Sequence, residues 1–303
     1  MGDTGSRVLV TGGSGFIGRR LVRALLAAGH DVTVVDKRPF PGDDAIHMVQ
    51  GDLLDQAVVE EAVAPGAGAI FHLAAITRVL LSVEDPAGTH ALNVTATAAL
   101  LEQARLKGVG TFILASTNAV TGDVGRDTII ALRPLTPYGA TKAAGEMLLG
   151  AYSACYGIKG CALRFSNVYG PGMAEKDSFI PRIMRAAAAG SGVQVYGDGT
   201  QLRDLVHVDD IVAGIFAAWR GGVTGPMILG AGESVSVNDM LAAARSVTGA
   251  ELPAEHIPAK AGEMPAVIVD ISAARAAGYQ PTHDLKSGLA TVWPEFAGVE
   301  AGQ

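Results

Sequence analysis

Tyr138 and Lys142 stand four residues apart in Tyr138-Gly139-Ala140-Thr141-Lys142. On a helix such a pair shares one face, so the ammonium lies beside the phenol and favours its phenolate. A free tyrosine titrates near pH ~10, too high for a base at neutrality, and a neighbouring cation moves that value toward the useful range. Far upstream, Thr11-Gly12-Gly13-Ser14-Gly15-Phe16-Ile17-Gly18 leaves the backbone bare. Its glycines fit both G-x-G-x-x-G and the wider G-x-x-G-x-x-G, the turn from strand into helix at which amides and the helix dipole receive a pyrophosphate. A proton acceptor and a dinucleotide that accepts hydride together make an oxidoreductase site. Between them, Phe112-Ile113-Leu114-Ala115-Ser116 reads as a strand delivering Ser116 and Thr117. Those hydroxyls either share a substrate proton with Tyr138 or cap their own backbone.

These residues need elements to hold them. Segment 7–11 reads as a buried strand, 18–29 as a helix with Leu21, Leu25 and Leu26 on its apolar face, and 31–36 as the next strand. Further strands fit 69–73, 111–116 and 160–164, separated by helices at 89–107 and 138–156. That alternation predicts an α/β fold with a doubly wound parallel Rossmann sheet, its ligands at the carboxyl ends of the strands. Asp36 closes the second strand, where an acid accepts from the adenosine ribose and repels a 2′-phosphate. NAD is thereby favoured over NADP, although Lys37 and Arg38 weaken the preference. Asp52 suits either the adenine amino group or a helix N-cap.

Past Ser166 the rhythm changes to Tyr169-Gly170-Pro171-Gly172 and Tyr196-Gly197-Asp198-Gly199. We expect an NAD-binding domain over 1–165 and a smaller, interleaved C-terminal region over 166–303, with 205–222 packing back on the sheet because its helix is apolar. A net charge of −7 over 303 residues argues against a nucleic-acid partner. Two cysteines, Cys155 and Cys161, make neither a disulfide framework nor a metal spacing and read as buried free thiols of a reducing compartment. The strand at Val8-Leu9-Val10 leaves no room for a signal peptide, and no apolar run reaches membrane-spanning length. A cytoplasmic protein is expected. His207-x-Asp209-Asp210 raises the thought of a metal, but Asp209 capping the following helix is the reading taken, and no metal is expected.

Taken together, Thr11 to Gly18, Asp52-Leu53, His72-Leu73-Ala74-Ala75, Asn93-Val94, Tyr138 to Lys142, Arg164 to Pro171, Arg203-Asp204 with His207 to Asp210, and a closing segment from Asp270 to Trp293 span nearly the whole chain. In that order they resemble the extended short-chain dehydrogenase/reductases, specifically the NAD-dependent sugar-nucleotide epimerase/dehydratase family. The resemblance implies that Tyr138 is the base, that Lys142 positions the nicotinamide ribose and lowers the Tyr138 pKa, and that Thr117 is the catalytic hydroxyl with Ser116 its neighbour. It implies NAD held along Gly12, Gly15, Phe16, Ile17, Gly18, Asp36, Asp52, Leu53, Leu73, Ala74, Ala75, Asn93, Ser116 and Phe165. The same resemblance gives the nucleotide-sugar to Thr77, Thr117, Asn167, Tyr196, Arg203, Lys260 and Glu263, with Asn167 and Arg203 at its diphosphate. Homodimers built on the helices at 89–107 and 138–156 are common in the family.

Departures narrow the reaction. The family's 4,6-dehydratases carry an acidic pair after the catalytic Thr, and its uronic acid decarboxylases place Glu where Ala119 stands, whereas this chain has Asn118-Ala119. A 4-epimerase of a UDP-hexose or UDP-N-acetylhexosamine is therefore expected, with tightly bound NAD. Asn167 resembles the neutral-sugar epimerases, Lys260 stands in for a diphosphate-binding Arg, and Val267 aligns with the residue gating the C2 substituent. The alternatives are a keto-sugar reductase, a UDP-glucuronate 4-epimerase and a non-catalytic NAD-binding sensor.

Overall fold

A computed structural model describes residues 5–42, 45–121, 132–258 and 266–298. The chain begins with β1 (Arg7–Thr11), α1 (Phe16–Ala27), β2 (Asp31–Asp36), β3 (His47–Gln50), α2 (Gln56–Ala62), β4 (Ala69–His72), α3 (Val79–Glu84) and α4 (Pro86–His90). A π-helical turn, Ala91–Thr95, joins α4 to α5 (Ala96–Leu106). Next come β5 (Thr111–Thr117), a 3-10 turn at Asn118–Val120, α6 (Pro137–Tyr156) and β6 (Lys159–Phe165). The remainder is β7 (Asn167–Tyr169), α7 (Phe179–Ala188), β8 (Val193–Tyr196), β9 (Leu202–His207), α8 (Val208–Arg220) and β10 (Gly225–Leu229), then β11 (Ser234–Ser236), α9 (Val237–Thr248), β12 (Ala254–Ile257), α10 (Ser272–Ala276), α11 (Leu285–Val292) and α12 (Pro294–Ala297).

Contacts divide the chain into two compact units. One comprises Met1–Phe165, Val212–Ile228 and Ala273–Tyr279, the other Ser166–Ile211, Leu229–Ser272 and Gln280–Gln303. The first contains a seven-stranded sheet in the order β10-β6-β5-β4-β1-β2-β3. Every pairing from β6 through to β3 is parallel. This is the doubly wound α/β fold that the alternation predicted. Its middle strands are covered on both faces, so they read as unbroken apolar runs such as Val8-Leu9-Val10 and Ala69-Ile70-Phe71. β3 and β10, which the sequence reading passed over, are the two outermost strands and too short to show a pattern.

On one face Leu9, Ile70, Phe112 and Leu114 pack with Leu100 and Leu101 of α5 and Leu149 of α6. Each such side chain contributes roughly 1.5–3 kcal/mol relative to exposure. Trp219 fastens the returning segment, meeting Phe71 edge-on at 5.1 Å and His30 at 5.0 Å. The second unit holds a three-stranded sheet, β11-β9-β7, and a parallel pair, β12-β8. Among the described residues no helix is long and apolar enough to cross a membrane.

Candidate active site

The glycine loop is shaped by what its backbone must approach. At Gly12, φ is +70°, and a Cβ there would sit 2.8 Å from the amide nitrogen of Ala74. A Cβ at Gly18 would lie 2.2 Å from the carbonyl oxygen of Gly12, so the start of α1 can seat only a glycine. α1 opens at Phe16 and Ile17 with no side-chain cap and no acid in its first turn, leaving its positive end for an anion. A cavity of about 430 Å³ adjoins this point, lined by Gly12 and Gly15, by Asp36, Asp52 and Leu53, and by Leu73, Ala74 and Ala75. Asp36 accepts the Ser14 amide at 3.1 Å through one oxygen and the Arg38 amide at 3.0 Å through the other. A carboxylate offers about four lone pairs, so acceptors remain for a ribose diol. Bare loop, uncapped helix and acid-tipped strand fit a dinucleotide.

Asp52 does not cap a helix. Asp55 caps α2, accepting the Ala57 amide at 2.9 Å, while Asp52 takes the Leu54 amide at 3.1 Å and pairs with Lys37 Nζ at 2.7 Å.

Tyr138, Lys142, Ser116 and Thr117 come together as the spacing suggested. Thr136 caps α6 by accepting the Gly139 amide at 3.1 Å, and Pro137 fills the first turn. A Cβ at Gly139 would approach the Ala119 carbonyl to 2.7 Å, so glycine lets α6 close on the 3-10 turn. The Thr117 hydroxyl hydrogen-bonds the Tyr138 phenol and also takes the Ala119 amide at 3.2 Å. Sharing the phenol and capping its own backbone are thus both true of Thr117. The Ser116 hydroxyl instead donates to Glu146 of α6. Lys142, 3% exposed, donates from Nζ to the Ala115 carbonyl at 3.0 Å.

The electrostatics differ from expectation. Burial holds the Tyr138 phenol above its ordinary value, and the Thr117 hydrogen bond only opposes that rise. The rise runs against the lowering by Lys142 that the spacing suggested; the opposing influence comes from Thr117. Lys142 itself is brought down to about 8, by burial first, with the Glu146 carboxylate opposing.

His72, at the end of β4, is buried and brought down to about 3 by its burial and then by Lys142, so it is a neutral imidazole. Its tautomer follows from its neighbours. Thr97 spends its proton on the Asn93 carbonyl at 2.7 Å, so Nε2 of His72 is the donor in the 2.9 Å contact with Thr97. Nδ1 then accepts from Thr11 at 2.6 Å. Asn93, in the π-helical turn, grips Ile76 through both amide and carbonyl at 2.8 and 3.0 Å and donates to Thr141 at 3.0 Å. It therefore braces the loop after β4 and the first turns of α6. Sequence reading placed Asn93 along the cofactor and read 89–107 as helical; the chain is helical through that segment, with a π turn at Ala91–Thr95 set into it. Phe165 ends β6 opposite Thr117 in the ladder, and Thr77 is exposed in the loop after β4. Cys161 is buried, whereas Cys155, expected to be buried too, is exposed.

In the second unit, Asn167 opens β7 and donates to the Asp204 carbonyl at 3.0 Å, Tyr196 ends β8 at 40% exposure, and Arg203 lies in β9 opposite Val235. Asp204 is fully buried and accepts from Ser166 and from the amides of Ala231 and Gly232, both at 2.9 Å. It organises the loop after β10, a role sequence reading missed. Val267 is held to Leu202 by its amide at 2.9 Å. Lys260 and Glu263 lie outside the described residues. At the start of α8 the His207 Nδ1 accepts the Asp209 amide at 3.2 Å, and Asp209 stands in the first turn. His207, Asp209 and His283 bring ligand-type atoms within 4.8 Å of one another. Yet the two rings stack at 3.9 Å and 23°, so their in-plane lone pairs run side by side and do not converge on one ion.

The chain matches the model of the NAD dependent epimerase/dehydratase family over residues 8–228 and belongs to that family. Its fold and sequence are those of an extended short-chain dehydrogenase/reductase enzyme. A dTDP-glucose 4,6-dehydratase of Streptomyces griseus is 32% identical over 94% of this chain and 92% of its own. Among solved structures, UDP-glucose 4-epimerase of Thermotoga maritima with UDP-glucose superimposes with a TM-score of 0.89 at 29% identity, covering 96% of this chain and 98% of that one. MoeE5 in complex with UDP-glucuronic acid and NAD gives 0.86 at 34% identity, covering 95% and 99%. Identity is level between epimerase and dehydratase, so the reaction has to be read from the site.

Proposed function

We propose that the protein is an NAD-dependent nucleotide-sugar 4-epimerase, inverting C4 of a UDP-hexose or UDP-N-acetylhexosamine through a 4-keto sugar. The observation that carries this reading is the turn after Thr117. Asn118 offers an amide oxygen 3.2 Å from the Thr117 hydroxyl, and Ala119 offers only its backbone. Neither trades a proton at neutral pH, and eliminating water from the sugar requires an acid and a base of its own. Tyr138 and Thr117 alone are left to move one proton.

In this reading Tyr138 exchanges one proton with the sugar O4; burial keeps it a phenol in the ligand-free fold, so the accepting phenolate would require the positive charges of Lys142 and of a bound nicotinamide beside it. NAD held along the glycine loop would supply the hydride acceptor for C4 and would be regenerated when the 4-keto sugar, turned over in the site, is reduced on its opposite face, so the cycle would be redox-neutral and need no added reductant. Asn167 and Arg203 are assigned to the diphosphate, for which guanidinium geometry is suited. Asp36 favours NAD over NADP.

A second substrate, UDP-glucuronate, is supported by MoeE5, which has been solved with that sugar nucleotide and also with UDP-glucose. Purified protein incubated with UDP-glucose, UDP-N-acetylglucosamine or UDP-glucuronate and followed by NMR of the anomeric protons separates the readings. Interconversion at C4 without added cofactor supports the epimerase and names its sugar. Stoichiometric consumption of NAD or NADPH replaces it with a reductase or dehydrogenase, and inertness toward all three points to a sensor. Tyr138→Phe should lower kcat by about 10²–10⁴-fold while NAD stays bound.

We also infer a homodimer built on α5 and α6, whose Leu106, Met147 and Tyr156 are 59%, 68% and 55% exposed. Light scattering that returns the monomer mass removes that inference. The free thiols agree with a cytoplasmic location.

A further inference from the structure

Glu146 continues the spacing that began with Tyr138 and Lys142. Steps of four residues place all three along one face of α6. Its carboxylate is buried, with side-chain exposure of 7% against 2% for Arg164 of β6. Arg164 grips it as a fork, Nη2 lying 2.7 Å from one oxygen and Nε 3.0 and 3.2 Å from the two. Ser116 donates to the same carboxylate. β5 and α6 are thus laced by three consecutive rungs: Ala115 carbonyl to Lys142, Ser116 hydroxyl to Glu146, and Thr117 hydroxyl to Tyr138.

We infer that Glu146 is a positioning residue for the proposed hydride and proton chemistry, holding the Ser116–Thr117 strand end against α6 and setting a negative charge beside the Lys142 ammonium. The inference rests on the reading of Tyr138 as the base. A buried ammonium whose bond is to a neutral carbonyl needs a compensating charge. The groups packed around it leave Glu146 to supply one. His72 of β4 is neutral, and Cys161 of β6 is pushed up to about 12 by burial and by Glu146, so it remains a thiol. Arg164 is cationic. Glu102 of α5 engages Arg105 of its own helix and Tyr152 further along α6.

A merely structural ion pair would show itself in stability alone, so the test reads the Lys142 ammonium through activity. The parent's kcat is titrated against pH, its alkaline limb following loss of the Lys142 proton at about 8. The same titration is run on Glu146→Gln/Arg164→Gln, which removes both buried charges, and on Glu146→Asp, which keeps the charge and withdraws it from Ser116. Because the Glu146 carboxylate is what opposes the lowering of Lys142, that alkaline limb should move to lower pH by about one unit in the double variant. Its kcat should fall about tenfold at neutral pH with KM nearly unchanged, the sign of an interaction used only in the transition state. Glu146→Asp should leave the titration within a few tenths of a unit and lower kcat about threefold.

A double variant that titrates as the parent does, whatever its melting temperature, overturns the inference. If the double variant does not fold, Glu146→Asp decides: a kcat equal to the parent's, or a titration displaced by a full unit, overturns it. Tyr138→Phe turning over normally would sink the base assignment instead, an outcome separate from both.

Discussion

The two units hold their polar groups in opposite ways. In the sheet unit, positions are set by backbone: glycines let Gly12, Gly18 and Ala74 come within reach, and strand ends present Asp36 and Thr117. In the second unit one buried carboxylate, Asp204, gathers the donors of Ser166, Ala231 and Gly232 and so orders a loop that no strand ladder reaches. Substitutions should therefore fail by steric collision in the first and by orphaned donors in the second.

The strongest break in that contrast is Gly18→Ala. Its Cβ would meet the Gly12 carbonyl oxygen at 2.2 Å and Gly13 Cα at 2.7 Å, both backbone atoms that cannot swing aside. We expect a loss of about 3 kcal/mol in urea unfolding and at least about a hundredfold weaker NAD binding, since the amides must shift from their anion-binding arrangement. An alanine variant that retains NAD would show that the loop yields after all. Next comes Asp204→Asn. The amide presents a donor where two backbone amides and a hydroxyl already donate, so about 2–3 kcal/mol should be lost. Weaker sugar-nucleotide binding with NAD affinity intact, measured by calorimetry, would keep the two units' roles apart.

The same contrast explains what the sequence revealed. β1, α1 and β2 were legible because periodicity and the glycine spacing both report backbone requirements, and Tyr138 with Lys142 because a four-residue step defines a helical face. Less legible was the π turn inside the helix expected at 89–107. It carries Asn93, whose partners Ile76 and Thr141 are distant in sequence and leave the local apolar pattern unchanged. Asp204 was passed over because its partners lie 27 to 38 residues away. Glu146 had a visible signal, the third step of four from Tyr138, whose meaning required knowing that Arg164 and Ser116 arrive beside it.

Within the sheet unit, Lys142 should pull stability and activity in opposite directions on the alkaline side. Its titration point falls from 10.5 to about 8, so between those values the unfolded chain keeps a proton that the folded chain has lost. Stability rises with pH wherever the unfolded state binds more protons. The ligand-free parent should thus gain melting temperature relative to Lys142→Met as pH climbs from about 8 toward ~10, while kcat falls as the ammonium beside the phenol disappears. Parallel melting curves for the two proteins would mean that Lys142 is not displaced by burial.

The smallest effect belongs to the rim of the cofactor cavity, where charge, not backbone shape, sets selectivity inside the sheet unit. In the proposed assignment Asp36 would offer its remaining lone pairs to a ribose diol and oppose a 2′-phosphate, but Lys37 and Arg38 follow it directly. Replacing Asp36 by Ser removes the repulsion while leaving a group able to accept the Ser14 amide, with Lys37, paired to Asp52, and Arg38 the next residues along the chain. NADP binding should tighten and NAD binding weaken, moving their ratio by about tenfold, the equivalent of about 1.4 kcal/mol. High salt should shrink that change, because the cations are solvent-exposed and screened. A ratio that does not move would place the discrimination in the loop's shape, making this rim behave like the rest of the sheet unit and not like the charge-ordered second one.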